Sequence, residues 1–245
     1  IDFNGGNFTQ KGVLQRWIDG YVSSWEREIG MEADKSLPTG LRFIELLKTA
    51  YEKSGLRAVV LVDEYDKPIL DVLDYDKDLE EEHRNILKGF YSTFKGADEY
   101  LQFVFLTGVT KFSQVSVFSG FNQPKDISMD RRYEALCGIT QEEIDRYFPE
   151  PIAEMADEYG FTPKEMKQRL KLQYDGYHFS KQMTDVYNPF SLLNALDSQS
   201  VDDYWFRSGT PTYLIRLLTH FNENLNELTG KYYRPEEFID YKADV

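Results

Sequence analysis

Ala58-Val59-Val60-Leu61-Val62-Asp63-Glu64 runs an unbroken apolar stretch directly into two carboxylates. The run is rich in β-branched residues and has the length of a strand, the pattern expected where helices cover a strand on both faces. Upstream of it, Leu14, Trp17, Ile18, Tyr21, Val22, Trp25 and Ile29 recur at three- and four-residue steps, which predicts an amphipathic helix from Val13 to Ile29 ended near Gly30. A second helix is predicted from Thr39 to Lys53, with Leu41, Ile44, Leu47 and Tyr51 on one face and Gly55 as its stop. Ile1 to Asn4 reads as the tail of a strand halted by Gly5-Gly6. Downstream, Leu79 to Lys95 carries Ile86, Leu87, Phe90, Tyr91 and Phe94 at helical spacing, and Gly96 closes it. Leu101 to Leu106 is a second buried strand that ends at Thr107-Gly108.

Strands alternating with helices predict a parallel α/β sheet, whose ligand crevice lies beyond the carboxyl ends of its strands. Asp63, Glu64 and Thr107 stand just past two such ends. After about Gly138 the pattern turns to short helices, at Thr140 to Phe148, Pro151 to Tyr159, Pro163 to Leu172, Pro189 to Leu196 and Thr212 to Leu228, with a small hairpin between Tyr177 and Tyr187. The expected organisation is an α/β piece over residues 1–137 and a mainly helical piece over residues 138–245.

The 245 residues are 41% hydrophobic and 15% aromatic, too much buryable surface for a disordered chain. No apolar run approaches the ~20 residues that cross a bilayer. A formal net charge of −14 disfavours bulk coating of nucleic acid or anionic lipid. The single cysteine, Cys137, allows no internal disulfide, so a reducing compartment, the cytoplasm, is expected. Its apolar neighbours Leu136 and Gly138 suggest a buried small hydrophobe. The opening at Ile1, without Met, reads as a piece of something longer.

Two carboxylates at a rigid strand end suit phosphate hydrolysis. The first, Asp63, can help hold a Mg²⁺ shell, and the second, Glu64, can orient the attacking water. Against this stands the plain alternative of strand-end acids that meet solvent or cap a helix. Thr107, if its strand neighbours the first, offers a hydroxyl to a phosphate or a water, and Lys111 a nearby positive charge. A phosphate-cradling loop of the form G-x-x-x-x-G-K-[ST] is missing: Gly230-Lys231 is followed by Tyr232, and Leu225 takes the first glycine position. The chain alone is therefore expected to bind ATP poorly. His83, His178 and His220 are scattered and lack the spacing of zinc ligands. A nuclease set of Asp63, Asp66 and Lys67 is cramped and interrupted by Pro68. Arg131-Arg132 and the basic residues from Lys164 to Lys171 read first as solvated faces.

The chain resembles the bacterial AAA-ATPase-like family of P-loop ATPases. The resemblance is carried by Gly5-Gly6-Asn7-Phe8, by Val62-Asp63-Glu64-Tyr65-Asp66-Lys67-Pro68-Ile69 and by Thr107-Gly108-Val109-Thr110-Lys111-Phe112-Ser113. It continues through Tyr174 to Phe179, Val186 to Ser191 and Tyr204 to Pro211. The resemblance implies a parallel P-loop NTPase-like sheet, truncated before its Walker A loop, followed by a helical, winged-helix-like lid. It implies that Asp63 and Glu64 are the Walker B pair, that Asp63 is the Mg²⁺ ligand, and that Thr107 with Lys111 forms the polar sensor region. It also implies ATP and Mg²⁺ as cofactors of the longer protein, with a nuclease-like domain of the PD-(D/E)XK type often following. The expected activity is ATP hydrolysis coupled to motion of the helical part. The competing expectation is a nucleotide-independent module whose helical half docks protein or DNA beside a vestigial acidic pair.

Overall fold

The computed structural model describes residues 1–73, 75–109, 117–118 and 124–204. They fall in two compact units, one within Ile1–Pro124 and one within Lys125–Pro235. The described residues are mixed α/β, mostly helical, with one small parallel sheet among them.

In the first unit, β1 (Ala58–Val62) and β2 (Leu101–Leu106) pair in parallel, with Val59 opposite Phe103 and Val62 opposite Leu106. Residues 1–3 lie along the other edge of β1 and bridge Asp63 through Asp2, also in parallel. Around this ribbon run α1 (Val13–Glu28), α2 (Thr39–Ser54), the single turn α3 (Lys67–Leu70) and α4 (Lys77–Gly96).

The helices form where periodicity and end chemistry agree. In α1, Leu14, Ile18 and Val22 make the buried stripe. Gly55 ends α2 at φ 71°, a left-handed conformation that costs a side-chain-bearing residue energy. At α4 the Asp76 carboxylate accepts from the Leu79 N–H, and Asp78 and Glu80 sit in the first turn, where negative charge complements the helix dipole. Asp76, Asp78 and Glu80 thus form the start of that helix. The Phe43 ring of α2 packs, tilted, with its centroid 5.1 Å from that of Phe90 and 5.6 Å from that of Phe94 of α4, and Val60 and Val62 join the same core.

Polar groups enter this core as well. Glu26 of α1 and Arg42 of α2 are both buried, the guanidinium donating to both carboxylate oxygens at 2.8 and 2.5 Å. Lys35 adds a third donor to Glu26 at 2.9 Å, and Asp19 a second acid for Arg42. Burial alone would raise the Glu26 pKa, yet the bonds from Arg42 and Lys35 outweigh it and hold the group below its ordinary value.

One expectation fails in this unit. Val59 and Leu61 are 56% and 58% exposed, so β1 is covered on one face only. The even residues pack against the helices, while the odd ones face away from them.

In the second unit, α5 (Gln141–Tyr147), α6 (Pro149–Tyr159), α7 (Pro163–Tyr174) and α8 (Pro189–Ser198) enclose a core that includes Ile144, Ile152, Met166, Leu170, Tyr187 and Leu192. Capping boxes start two of these helices, Thr140 with Glu143 and Thr162 with Glu165. Antiparallel bridges join Tyr177 to Val186 and Ile139 to Tyr187, where the hairpin was expected. Cys137, however, is exposed, because the turn that carries it leaves its side chain outside both cores. Lys167 pairs with Asp145, and Lys171 with Asp175 and Asp185. The helix expected at 212–228 and the motif beyond Tyr204 lie outside the described residues.

Candidate functional site

Register brings the predicted residues together. Because Val62 opposes Leu106, the next residues, Asp63 and Thr107, emerge side by side at the carboxyl ends of the two strands. The Thr107 N–H donates to the Val62 carbonyl at 2.9 Å, and the Tyr65 N–H donates to the Thr107 carbonyl at 2.9 Å. The Thr107 hydroxyl donates to Oδ1 of Asp63. On the opposite edge the Asp63 N–H donates to the Ile1 carbonyl at 2.8 Å, and the Asp63 carbonyl accepts from the Phe3 N–H at 3.2 Å. Asp63 is therefore fixed by its backbone on one side and by its carboxylate on the other, while remaining exposed.

Glu64 follows at φ 52°, in the left-handed region that a non-glycine residue occupies at a cost. Its N–H donates to Oδ1 of Asp63 at 3.1 Å. Half-burial raises its pKa; Lys67 opposes that shift, and the charges of Asp63, Asp2 and Asp66 add to it. The carboxyl thus holds a proton more readily than an ordinary glutamate.

Several further contacts, not anticipated from the sequence, brace the turn that carries these acids. His83 of α4, fully buried, bonds through Nδ1 to the Pro68 carbonyl at 2.8 Å. The Lys67 ammonium pairs with Asp71 at 2.8 Å, and Asp71 also accepts from the Phe8 N–H at 3.3 Å. A Cβ on Gly108 would lie 2.6 Å from Asp66 Oδ1 and from a ring carbon of Tyr65, closer than real atoms approach. The signals were present as an aromatic after the acidic pair and a glycine after Thr107, but neither residue type alone announces a contact across strands.

Other expectations meet the structure as follows. Lys111 lies outside the described residues. Asp66 is fully buried and Lys67 is paired with Asp71, so the nuclease set is not assembled as an open cluster. Among the described residues no group of three His, Cys, Asp or Glu is arranged to hold a metal ion. His178 is paired with Asp185 at 2.5 Å. No helix of the described residues is long and apolar enough to cross a membrane. Two surface hollows, of about 550 Å³ beside Asp78, Glu82 and Ile86 and about 370 Å³ between Asp145 and Lys164, include none of the candidate residues.

The donor set of Asp63, Glu64 and Thr107 is all hard oxygen, the type that Mg²⁺ takes from one or two carboxylates while keeping waters and substrate phosphates. It fits that ion. The fit does not extend to a triphosphate, since the sequence holds no Gly-Lys-Ser/Thr loop to surround phosphates with backbone N–H groups.

Residues 1–118 match the AAA-ATPase-like family model, described as "Predicted AAA-ATPase". Over 219 residues the chain is 38% identical to an "Uncharacterized protein in vnfD 5'region" of Azotobacter chroococcum mcd 1, a match covering 89% of this chain and 40% of that protein. The chain thus spans well under half the length of this curated relative. No solved structure matches it.

Proposed function

We propose, taking the AAA-ATPase-like match of residues 1–118 as premise, that this chain carries the acidic half of a Mg²⁺-dependent ATPase site. The observation behind the proposal is the side-by-side placement of Asp63 and Thr107 at two parallel strand ends, with Glu64 next in the chain. Asp63 would hold the Mg²⁺ shell through its carboxylate, and Thr107 orients that carboxylate by its hydrogen bond. Bound Mg²⁺ supplies charge neutralisation on phosphate oxygens. Glu64, with its raised proton affinity, is suited to take a proton from an attacking water. Lys111 would add positive charge in the same sensor region.

The phosphate cradle must come from polypeptide outside the 245 residues, as a P-loop NTPase-like core over residues 1–137 requires. Residues 138–245 serve in this reading as a helical, winged-helix-like lid that moves when phosphate is lost. The setting is the cytoplasm.

The test is ATP turnover by the longer polypeptide of the native reading frame. Glu64→Gln is expected to lose turnover while ATP binding persists, and Asp63→Asn to lose the Mg²⁺ dependence of binding. Absence of turnover in the unsubstituted protein would favour a nucleotide-independent module that docks protein or DNA.

A further inference from the structure

Charge is spread unevenly along this chain. Its net charge is −14, yet from Thr162 to Thr184 the only acids are Glu165 and Asp175, against Lys164, Lys167, Arg169, Lys171 and Lys181. Both acids are occupied. Glu165 closes the capping box of α7, accepting from the Thr162 N–H at 2.8 Å and from its hydroxyl at 2.7 Å. The Asp175 side chain is 4% exposed and pairs with Lys171.

The turn of α7 sorts the cations. Met166, Leu170 and Tyr174 face the core of the second unit. At 100° per residue the outward side then carries Lys164, Gln168, Lys171 and Leu172 in one strip, with Lys167 along one border and Arg169 along the other. Leu172 is 90% exposed. Asp145 of α5 and Asp185 of the hairpin bound the strip, where they pair with Lys167 and Lys171. Lys164 and Arg169, both exposed, make no ion pair among the described residues. The hairpin that joins Tyr177 to Val186 follows α7 directly and carries the exposed Lys181 at its turn.

A positive strip of this kind suits a polyanion, and its shape selects which one. A helix about 10–12 Å across fits the ~12 Å major groove of B-form DNA. In double-stranded RNA that groove is too narrow for side chains to read. Single strands are gripped by aromatic rings, of which the strip has none. An anionic membrane takes up a broad apolar face, and here Leu172 is the strip's single apolar residue.

We propose that α7 and the hairpin after it form a docking surface for double-stranded DNA. The helix lies in the major groove, Lys167 and Arg169 reach phosphates on either side, and Lys164, Gln168 and Lys171 face base edges. This gives the docking reading of the helical half a surface and one partner, and it needs no nucleotide.

The test is fluorescence anisotropy of a labelled DNA duplex of about 20 base pairs, titrated with the 245-residue chain from 50 to 200 mM salt. Binding is expected to weaken with salt, with a slope of about −3 in log affinity against log salt. Lys164→Glu with Arg169→Glu should weaken it about tenfold or more and flatten the slope by about 2. Lys88→Glu with Lys95→Glu makes the same change of charge at exposed positions of the first unit and should leave binding unchanged. In a Cys137→Ser background, maleimide labelling of Leu172→Cys should be fast without DNA and about tenfold slower with the duplex. No binding at 50 mM salt, equal loss from both pairs of reversals, or tighter binding to duplex RNA or to anionic phospholipid vesicles would overturn the proposal. So would slow labelling at 172 without DNA, the mark of a strip already covered by residues 205–245 of the same chain. DNA binding by a protein that turns over no ATP would leave the proposal intact and remove the ATPase reading, and turnover without DNA binding would do the reverse.

Discussion

The Thr107 hydroxyl donates to the Asp63 carboxylate, tying together the carboxyl ends of two parallel strands whose residues are 44 positions apart. That bond leaves Asp63 exposed but oriented. It also makes the strand register testable from one side chain.

Thr107→Val is expected to lower unfolding stability by about 1 kcal/mol, the net worth of a typical hydrogen bond, and Thr107→Ser to restore most of it. Urea denaturation at pH 7 reads the difference. A loss in Thr107→Ser with none in Thr107→Val would show that the methyl group, not the hydroxyl, holds Thr107.

At position 64 the backbone itself is costly, because a glutamate occupies φ 52°. Glu64→Gly should stabilise the fold by about 1 kcal/mol, and Glu64→Ala should give no such gain, since alanine pays the same left-handed penalty. The charge adds a pH dependence. Burial raises the folded-state pKa above the unfolded one, so the ionised group subtracts stability at neutral pH; that subtraction fades as pH falls through the raised folded value and is gone below the ordinary glutamate value of about 4.3. Glu64→Gln should therefore stabilise at pH 7 and be neutral near pH 3, as thermal melts across pH would show.

Gly108→Ala should destabilise by about 1–3 kcal/mol, the usual range for forcing an extra carbon into a filled space. The obstacle is the Tyr65 ring and the Asp66 carboxylate, each 2.6 Å from the added carbon. Pairing it with Tyr65→Ala should recover part of the loss beyond additivity, a coupling that a double-mutant cycle measures.

Removing one partner of the buried Glu26–Arg42 pair should be severe. Arg42→Leu alone is expected to cost about 3–5 kcal/mol, and Glu26→Leu with Arg42→Leu considerably less. Because Glu26 is held below its ordinary pKa, its contribution is complete above about pH 4.3 and is lost as pH falls through the lowered folded value. Acid titration of stability should thus be shallower in the double variant than in the unsubstituted chain.

How far the sequence could be read differs from element to element. Helices α1, α2 and α4 were legible because each repeats its apolar residues at helical spacing and ends near a glycine. The strands were legible from their unbroken apolar runs. The turn α3 was not, since Lys67 to Leu70 is a single helical turn with a proline as its second residue and too short to show a period. Asp63, Glu64 and Thr107 stood out by position at strand ends, whereas His83 read only as a scattered histidine, because its bond to Pro68 depends on α4 folding back across the turn.

From the sequence alone came the identity of the elements, the parallel order and the acids at the strand ends, all consequences of residue spacing along a local backbone. Tertiary structure alone decided that Thr107 reaches Asp63, that Gly108 must make room for Tyr65, and that Val59 and Leu61 are left uncovered. These depend on strand register and on which side the crossovers turn, and both are set by packing between segments distant in the chain, which local periodicity does not encode.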